Sequence, residues 1–150
     1  TGAVEAYVDA RLEEGGIRKP GIVRWTGTVP VVKKSDEIVH MTDVFPSFVS
    51  AAGGKVDPQW KVDGVNMLEV WMGRAKAPDR TLFWEFPIEG YNMHAAMRGD
   101  FKLLEIGGNK FLYNVKEDPQ ERRTLAPEYP EVFKQLDQEL KDWLATAVRP

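Results

Sequence analysis

The chain has 150 residues, 43% of them hydrophobic and 29% charged, which is typical of a globular domain rather than a disordered or low-complexity protein. Its 20 Lys and Arg against 23 Asp and Glu give a formal net charge of -3, which argues against a nucleic-acid partner. No apolar run approaches the roughly 18 residues of a membrane span, so no membrane partner is expected. The absence of cysteine excludes disulfides, thiolate metal ligands and a thiol nucleophile, and leaves the cellular compartment unknown.

The first half of the chain predicts short helices and one strand between glycine and proline breakers. Residues 3–14 have apolar side chains at helical spacing before two glycines, which predicts a short helix that ends there. Residues 21–25 (GIVRW) favour β-structure, and residues 43–52 predict a helix whose first backbone N–H groups Asp43 can cap. Residues 67–72 form a further apolar stripe at helical spacing.

From residue 80 onward the pattern changes to strands followed by one long helix. Runs of β-favouring residues predict strands at 81–86, 93–98, 101–106 and 110–115, and the glycines between the last two predict a hairpin. From Pro130 onward apolar residues recur every three or four positions, which predicts a long amphipathic helix. We therefore predict an α+β fold: a small antiparallel β-sheet of about four strands packed by a long C-terminal helix.

Seven phrases follow one another between Glu14 and Trp143. They are EEGGIRKPGIVRWTG, TDVFPSFVSAAG, VDGVNM, RTLFWE, AAMRGDFKLL, FLYNVKEDPQERRTLA and the closing amphipathic helix. Each phrase is weak alone, but in this order they resemble the C-terminal part of an arylsulfatase-type sulfatase of the alkaline-phosphatase-like superfamily. The resemblance implies that residues 1–75 are the C-terminal end of the large α/β sulfatase domain, left as a strand-and-helix remnant. Residues 76–150 would be the C-terminal sulfatase subdomain.

The catalytic machinery of that family has no counterpart in this chain. Its formylglycine is made from Cys or Ser in a C/S-x-P-x-R motif, which does not occur at Ser35, Ser47 or Ser50. The family's metal-binding aspartates, and a lysine that lies shortly before its E-G-G phrase, also have no match. We therefore expect no catalytic residue, metal site or cofactor here, and no activity from this chain alone. Calcium or magnesium and the formylglycine are expected in the missing N-terminal part.

The resemblance implies a function for the chain as a C-terminal fragment of a sulfatase, a sulfuric ester hydrolase. It would complete the fold and part of the substrate rim, and a sulfate-ester substrate would bind only to the intact enzyme. In the family, the strand around His94 and the loop before it lie nearest the substrate entrance. Trp84, Tyr91, His94 and Arg98 are therefore the candidate substrate-binding residues, and an ordinary sheet position is the alternative for His94.

A second group of residues could place metal ligands together. If residues 36–43 formed one helix, Asp36, Glu37, His40 and Asp43 would offer oxygen and imidazole ligands on a shared face. Calcium, however, needs about six to eight oxygen ligands in loop geometry. Capping and surface solvation are therefore the favoured interpretation.

Two other functions stay open at this point. The chain could be a stand-alone binding or interaction module derived from the sulfatase fold, or a fragment of a related phosphate-ester hydrolase. A C/S-x-P-x-R motif upstream of this chain would distinguish a sulfatase from both.

We also expect the chain to self-associate. The predicted strand at 21–25 would lack neighbours, and the helix at 43–52 would expose Phe45, Phe48 and Val49. A symmetric dimer would bury both surfaces.

Overall fold

The computed structural model describes residues 12–31, 34–88 and 90–146 of the chain. Their helices and strands follow in the order α1 (Glu14–Ile17), α2 (Val44–Ala51), α3 (Leu68–Trp71), β1 (Leu82–Ile88), β2 (Tyr91–Arg98), β3 (Phe101–Ile106), β4 (Asn109–Asn114) and α4 (Pro130–Thr146). Single 3₁₀ turns lie at Met41–Asp43 and Pro58–Trp60. No helix in these described ranges is long and apolar enough to cross a membrane.

The chain divides into two compact units. Residues 21–78 form one unit, whereas the described residues before position 21 join those after position 78 in the other. The break after Pro78 lies close to the predicted boundary between residues 75 and 76, although residues 12–20 belong with the sheet. The assignment of 1–75 and 76–150 to two sulfatase domains stays a prediction.

The four strands form one antiparallel sheet in the order β1-β2-β3-β4. The turn between β3 and β4 consists of Gly107 and Gly108, with φ values of 54° and 85°. Two positive φ angles are what a two-residue type I′ turn requires, and glycine adopts them without steric cost. The predicted strands and hairpin are therefore confirmed.

Both faces of the sheet are covered. On one face, Leu136 and Leu140 of α4 are buried against Ala96, Leu103 and Leu112, while Trp143 stacks on Phe83 with ring centroids 5.2 Å apart. On the other face, the segment around α1 contributes to a second apolar cluster, whose buried members are Leu12, Met93, Ala95, Met97, Leu104, Tyr113 and Val115. The α+β fold class, with its sheet and packing helix, is confirmed.

In the unit of residues 21–78, buried polar side chains connect α2 to a remote loop. Asp43 is 0% exposed; its Oδ2 accepts the His40 N–H at 2.7 Å and its Oδ1 accepts the Val65 N–H at 2.9 Å. Ser47 Oγ donates to the Asp43 carbonyl at 2.6 Å and accepts the Met67 N–H at 2.8 Å. These bonds satisfy backbone groups that would otherwise be buried without partners. They fix the loop against α2, the helix predicted at 43–52.

Residues 21–25 do not form the predicted strand. Ile22 is 94% exposed, and the four described strands pair only with one another. A β-favouring run needs a neighbouring strand for its N–H and C=O groups, and nothing in the described part of the chain supplies one. Of the strand and helix predicted for the first half of the chain, the strand at 21–25 is thus absent from this structure, whereas the helix is present as α2.

The predicted helix over residues 3–14 lies outside the described residues, except for its last three positions. The expectation that Gly15 and Gly16 end it is wrong, because both glycines lie inside α1. The Glu14 N–H at the start of α1 donates to Glu121 Oε2 at 2.8 Å. A tertiary contact therefore outweighs the low helix propensity of glycine here.

Gly64 provides a test of the connection between α2 and its loop. A Cβ at this position would lie 1.9 Å from the Thr42 carbonyl oxygen and 2.7 Å from the Asp43 nitrogen. Neither atom can move without disturbing the hydrogen bonds of Asp43. We expect Gly64→Ala to lower the free energy of unfolding by about 3 kcal/mol, the upper part of the usual overpacking range, in urea titrations followed by tryptophan fluorescence.

Gly21→Ala is the matched control, because it lies in the same unit and an added Cβ would have no neighbour within 4 Å. Its expected effect is within about 0.5 kcal/mol of zero. A loss below about 1 kcal/mol for Gly64→Ala would contradict the close contact described here.

Candidate functional site

The four predicted rim residues do not converge on one site. Tyr91 and Arg98 are the first and last residues of β2, so their Cα atoms lie about 24 Å apart at ~3.4 Å per residue. Trp84 packs with the cluster on the α1 side of the sheet, whereas His94 shares the α4 side with Ala96. Their contact with a substrate stays a prediction, and it would have to involve separate places on the sheet.

Arg98 is engaged in ion pairs within its own unit. Its Nε and Nη2 donate to the two carboxylate oxygens of Asp79 at 3.1 and 2.9 Å, and its Nη1 lies 3.3 Å from Glu139 Oε1 on α4. The hydrogen bond from Arg98 lowers the pKa of Asp79, and the same bond raises the pKa of Arg98. Burial raises the pKa of Glu139, but hydrogen bonds from Thr81, Gln135 and Arg98 outweigh it and lower that pKa. Arg98 therefore connects β2 to α4 and to the segment before β1.

His94 belongs to a row of charged residues that crosses the sheet. The strand register aligns Glu85 of β1, His94 of β2, Glu105 of β3 and Lys110 of β4. His94 Nε2 lies 3.5 Å from Glu85 Oε1, and its Nδ1 lies 3.9 Å from Glu105 Oε2. With 9% of its surface exposed, His94 is a buried member of this row.

The row continues onto α4 through Lys110. Its Nζ lies 3.3 Å from Glu105 Oε2 and forms an ion pair with Asp137, which also pairs with Lys141 at 2.6 Å. Burial lowers the pKa of Lys110, but the hydrogen bond to Asp137 and the charge of Glu105 raise it overall. Burial raises the pKa of Asp137, but its bonds from the two lysines lower it overall. The charged row thus fixes α4 to β4.

The group at residues 36–43 does not form a metal centre. Both oxygens of Asp43 accept backbone N–H groups, and the His40 side chain caps the 3₁₀ turn that Asp43 ends. Glu37 Oε2 accepts the Ala77 N–H at 2.8 Å, and Asp36 is exposed. Among the described residues, no group of three or more His, Cys, Asp and Glu side chains could hold a metal ion. Capping is confirmed at the 3₁₀ turn, where His40 and Asp43 form a capping box. The predicted Asp43 cap of the helix at 43–52 is wrong, because the Asp43 side chain makes no cap hydrogen bond to α2 and instead accepts the His40 and Val65 N–H groups.

A buried charge cluster that the sequence pattern did not predict lies on the α1 side of the sheet. Lys102 of β3 is 0% exposed; its Nζ lies 2.8 Å from Glu121 Oε1 and 3.5 Å from Glu14 Oε1. Glu121 adopts a φ of 52°, a left-handed conformation that non-glycine residues rarely occupy. Burial, together with the charges of Glu121, Asp118 and Glu13, raises the pKa of the nearby Tyr113.

One signal in the sequence could have revealed this cluster. In the strand FKLLEI, Lys102 shares its face with Leu104 and Ile106, so alternation places a cation on an apolar face. A lysine is almost never buried without a charged partner. The pattern therefore indicates that acidic side chains lie near Lys102, but it does not indicate which ones.

The fold and the ordered phrases together define the chain as the C-terminal domain of a sulfatase. The model of the family described as N-sulphoglucosamine sulphohydrolase, C-terminal, matches residues 5–146, so the chain belongs to this family.

Individual relatives agree with this assignment. The chain is 31% identical over 155 aligned residues to arylsulfatase G of Rattus norvegicus, covering 87% of this chain and 29% of the relative. It is 27% identical over 157 residues to arylsulfatase A of Bos taurus, covering 83% of this chain and 30% of the relative. The chain thus spans less than a third of the length of these relatives.

Solved structures share the fold. The structure of Ps i-CgsB in complex with k-i-k-neocarrahexaose has a TM-score of 0.74 at 23% identity, over 80% of this chain and 27% of that chain. The structure of BT1596, a 2-O GAG sulfatase, has a TM-score of 0.54 at 23% identity, over 69% of this chain and 24% of that chain. At these identities the likeness concerns the fold alone.

The Lys102 cluster gives a prediction about stability. Lys102→Met would remove the buried cation from the carboxylates of Glu14 and Glu121, leaving only Arg18, whose side chain is 65% exposed and whose Nη1 lies 3.8 Å from Glu14 Oε2. We expect it to lower the free energy of unfolding by about 3–5 kcal/mol in denaturant titrations, the usual loss when one partner of a buried ion pair is removed.

Lys116→Met is the control, because its Nζ lies 3.5 Å from Asp100 but its side chain is 73% exposed. Such a surface pair contributes at most about 1 kcal/mol. Adding Glu14→Gln and Glu121→Gln to Lys102→Met should recover part of the loss, since no net charge then stays buried. Equal effects of Lys102→Met and Lys116→Met would mean that Lys102 is not buried among carboxylates.

Proposed function

We propose that this chain acts as the C-terminal part of a sulfuric ester hydrolase, in which it completes the fold and part of the substrate rim. The match of a sulfatase C-terminal family over residues 5–146 carries this proposal. The four-stranded sheet packed by α4, the same overall fold as in a solved 2-O GAG sulfatase structure, supports it. The described residues hold no set of metal ligands, so no catalytic step is assigned to them.

The chemistry would then come from the rest of the enzyme. We propose that the N-terminal part provides the formylglycine nucleophile and the calcium or magnesium ion, the groups that attack and polarise a sulfate ester. Within this chain, Tyr91 is the rim candidate with the most accessible side chain, at 39% exposed, and it lies where β2 begins. Trp84, His94 and Arg98 would contribute mainly by holding β2 and its neighbours in place.

Activity assays on the complete reading frame test this function. We expect the purified complete protein to hydrolyse 4-methylumbelliferyl sulfate, and the 150-residue chain alone to show no turnover with or without calcium or magnesium. Tyr91→Ala in the complete protein should raise KM more than it lowers kcat, because a rim residue contributes mainly to substrate binding.

The phosphate ester 4-methylumbelliferyl phosphate is the comparison substrate. Preferential hydrolysis of the phosphate would favour the related phosphate-ester hydrolase. A complete reading frame without a C/S-x-P-x-R motif, and without either activity, would favour a stand-alone binding module. Sulfatase turnover by the isolated chain would contradict the proposal that the N-terminal part supplies the catalytic groups.

We further propose that an exposed apolar surface around α2 is an interface. This α2 surface consists of Met41, Phe45, Phe48 and Trp60, whose exposed fractions are 82%, 48%, 63% and 58%. The Phe45 and Trp60 rings lie 6.0 Å apart, so they form one patch, whereas Val49 is only partly exposed. Such patches mark contact surfaces in soluble proteins. In the complete enzyme the N-terminal part would cover it, and in the isolated chain a second copy would.

Self-association should therefore be visible in the isolated chain. We expect multi-angle light scattering across a concentration series to show a dimer at high micromolar concentration, and Phe45→Ser with Phe48→Ser to shift the chain to monomer. Tyr129→Ser, which removes an aromatic ring 44% exposed in the other unit, should leave the dimer unchanged. A monodisperse 17.0 kDa monomer at these concentrations would refute the interface between copies.

A further inference from the structure

An open pocket of about 470 Å³ lies within the unit of residues 21–78. One wall is the side of α2 that carries Pro46 and Ser50, and the rest is the loop from Gly54 to Asn66. Pockets that hold small molecules usually measure about 300–1,000 Å³, so a ligand of modest size fits this one. Its lining residues include none of the four rim candidates.

The charges around the pocket are unbalanced. Lys55 and Lys61 both line it, and neither side chain forms an ion pair or hydrogen bond with another described residue. The carboxylate on the wall belongs to Asp57, whose Oδ1 already accepts the Gln59 N–H at 2.9 Å. The pocket lining thus carries two lysines whose ammonium groups have no ion-pair or hydrogen-bond partner among the described residues, and one carboxylate that already accepts a hydrogen bond. This arrangement favours an anionic ligand over a neutral or cationic one.

The neutral groups on the wall add hydrogen-bond donors. Asn66 Nδ2 donates one hydrogen to Ser50 Oγ at 2.9 Å, and Asn66 Oδ1 accepts the Leu68 N–H at 3.0 Å. The second N–H of Asn66 and the O–H of Ser50 are then still able to donate. A donor-rich wall beside two cations matches an oxyanion, which only accepts hydrogen bonds.

The backbone at Lys61 is strained in a way that concerns the pocket. Lys61 follows the 3₁₀ turn Pro58–Trp60 and adopts φ 47° and ψ 50°, a left-handed conformation that glycine or asparagine adopts more easily. Residues held in such conformations cluster at ligand clamps. Here a glycine would adopt the left-handed conformation without strain, but only a lysine places an ammonium group on the pocket wall.

We propose that this pocket binds the oxyanion group of a small molecule, a sulfate or phosphate that is either free or esterified to a sugar. The ammonium groups of Lys55 and Lys61 supply the charge, while Ser50 and Asn66 donate hydrogen bonds to its oxygens. This site is independent of the proposed sulfatase function, because it depends on residues 46–66 alone.

Calorimetric titration of the 150-residue chain at constant ionic strength tests the site. The probes are inorganic sulfate, inorganic phosphate, glucose 6-sulfate, glucose 6-phosphate and, as the neutral control, glucose. We expect binding of at least one of the four anions with a Kd in the millimolar range or tighter, and no binding of glucose. Equal affinity for an inorganic anion and its ester would identify the free anion as the ligand, whereas tighter binding of the ester would identify the esterified form.

Two double variants separate the pocket from general electrostatics. Lys55→Gln with Lys61→Gln should weaken anion binding at least tenfold. Lys34→Gln with Lys76→Gln removes the same charge from the same unit but outside the pocket lining, and should change the Kd less than twofold. Equal losses in the two double variants, or no binding of any anion by the unaltered chain, would overturn the proposal.

Lys61→Gly checks the strained position without unfolding the chain. It relieves the left-handed backbone and removes the ammonium group, so the melting temperature should stay the same or rise while anion binding weakens at least threefold. Unchanged anion binding by Lys61→Gly would show that the Lys61 ammonium group does not contribute to the site, and would contradict the proposal.

Discussion

The sheet has two apolar faces, and each of them has to be covered by a segment distant in sequence. The long helix α4 covers one face through Leu136 and Leu140. On the other face, the short segment around α1 contributes Leu12 and Ile17 to the apolar cluster. The buried Lys102 holds this segment there by pairing with Glu14, at the start of α1, and with Glu121 beyond β4. Because all three groups are removed from water, each is tolerated only while the others stay in place.

Buried polar contacts between remote segments also organise the unit of residues 21–78. Buried side-chain oxygens of Asp43 and Ser47 accept backbone N–H groups of the loop at residues 65 and 67. Gly64 allows the loop to approach closely enough for these bonds to form. In both units, a polar contact between remote segments determines where an otherwise weakly structured piece of chain lies.

The charged residues of the sheet act mainly as connections. Arg98 joins β2 to α4, and the row from Glu85 through His94 and Glu105 to Lys110 ends on the same helix. These side chains keep the strands and α4 in register. In the proposed function, these connections would hold the domain in place next to the substrate rim. The pocket at residues 46–66 differs, because the ammonium groups of its lysines have no partner in the part of the chain that the structure describes.

The sequence by itself determined the elements that depend on local patterns. Alternation and the paired glycines defined the four strands and their hairpin, and the spacing of apolar residues from Pro130 defined α4. The ordered phrases also identified the family. Only the tertiary structure decided that residues 21–25 stay unpaired, that Gly15 and Gly16 lie within a helix, and that Lys102 holds two distant glutamates. The reason is physical: local periodicity shows which face of an element is apolar, but hydrogen bonds and ion pairs between remote segments depend on which backbone and side-chain groups meet after folding.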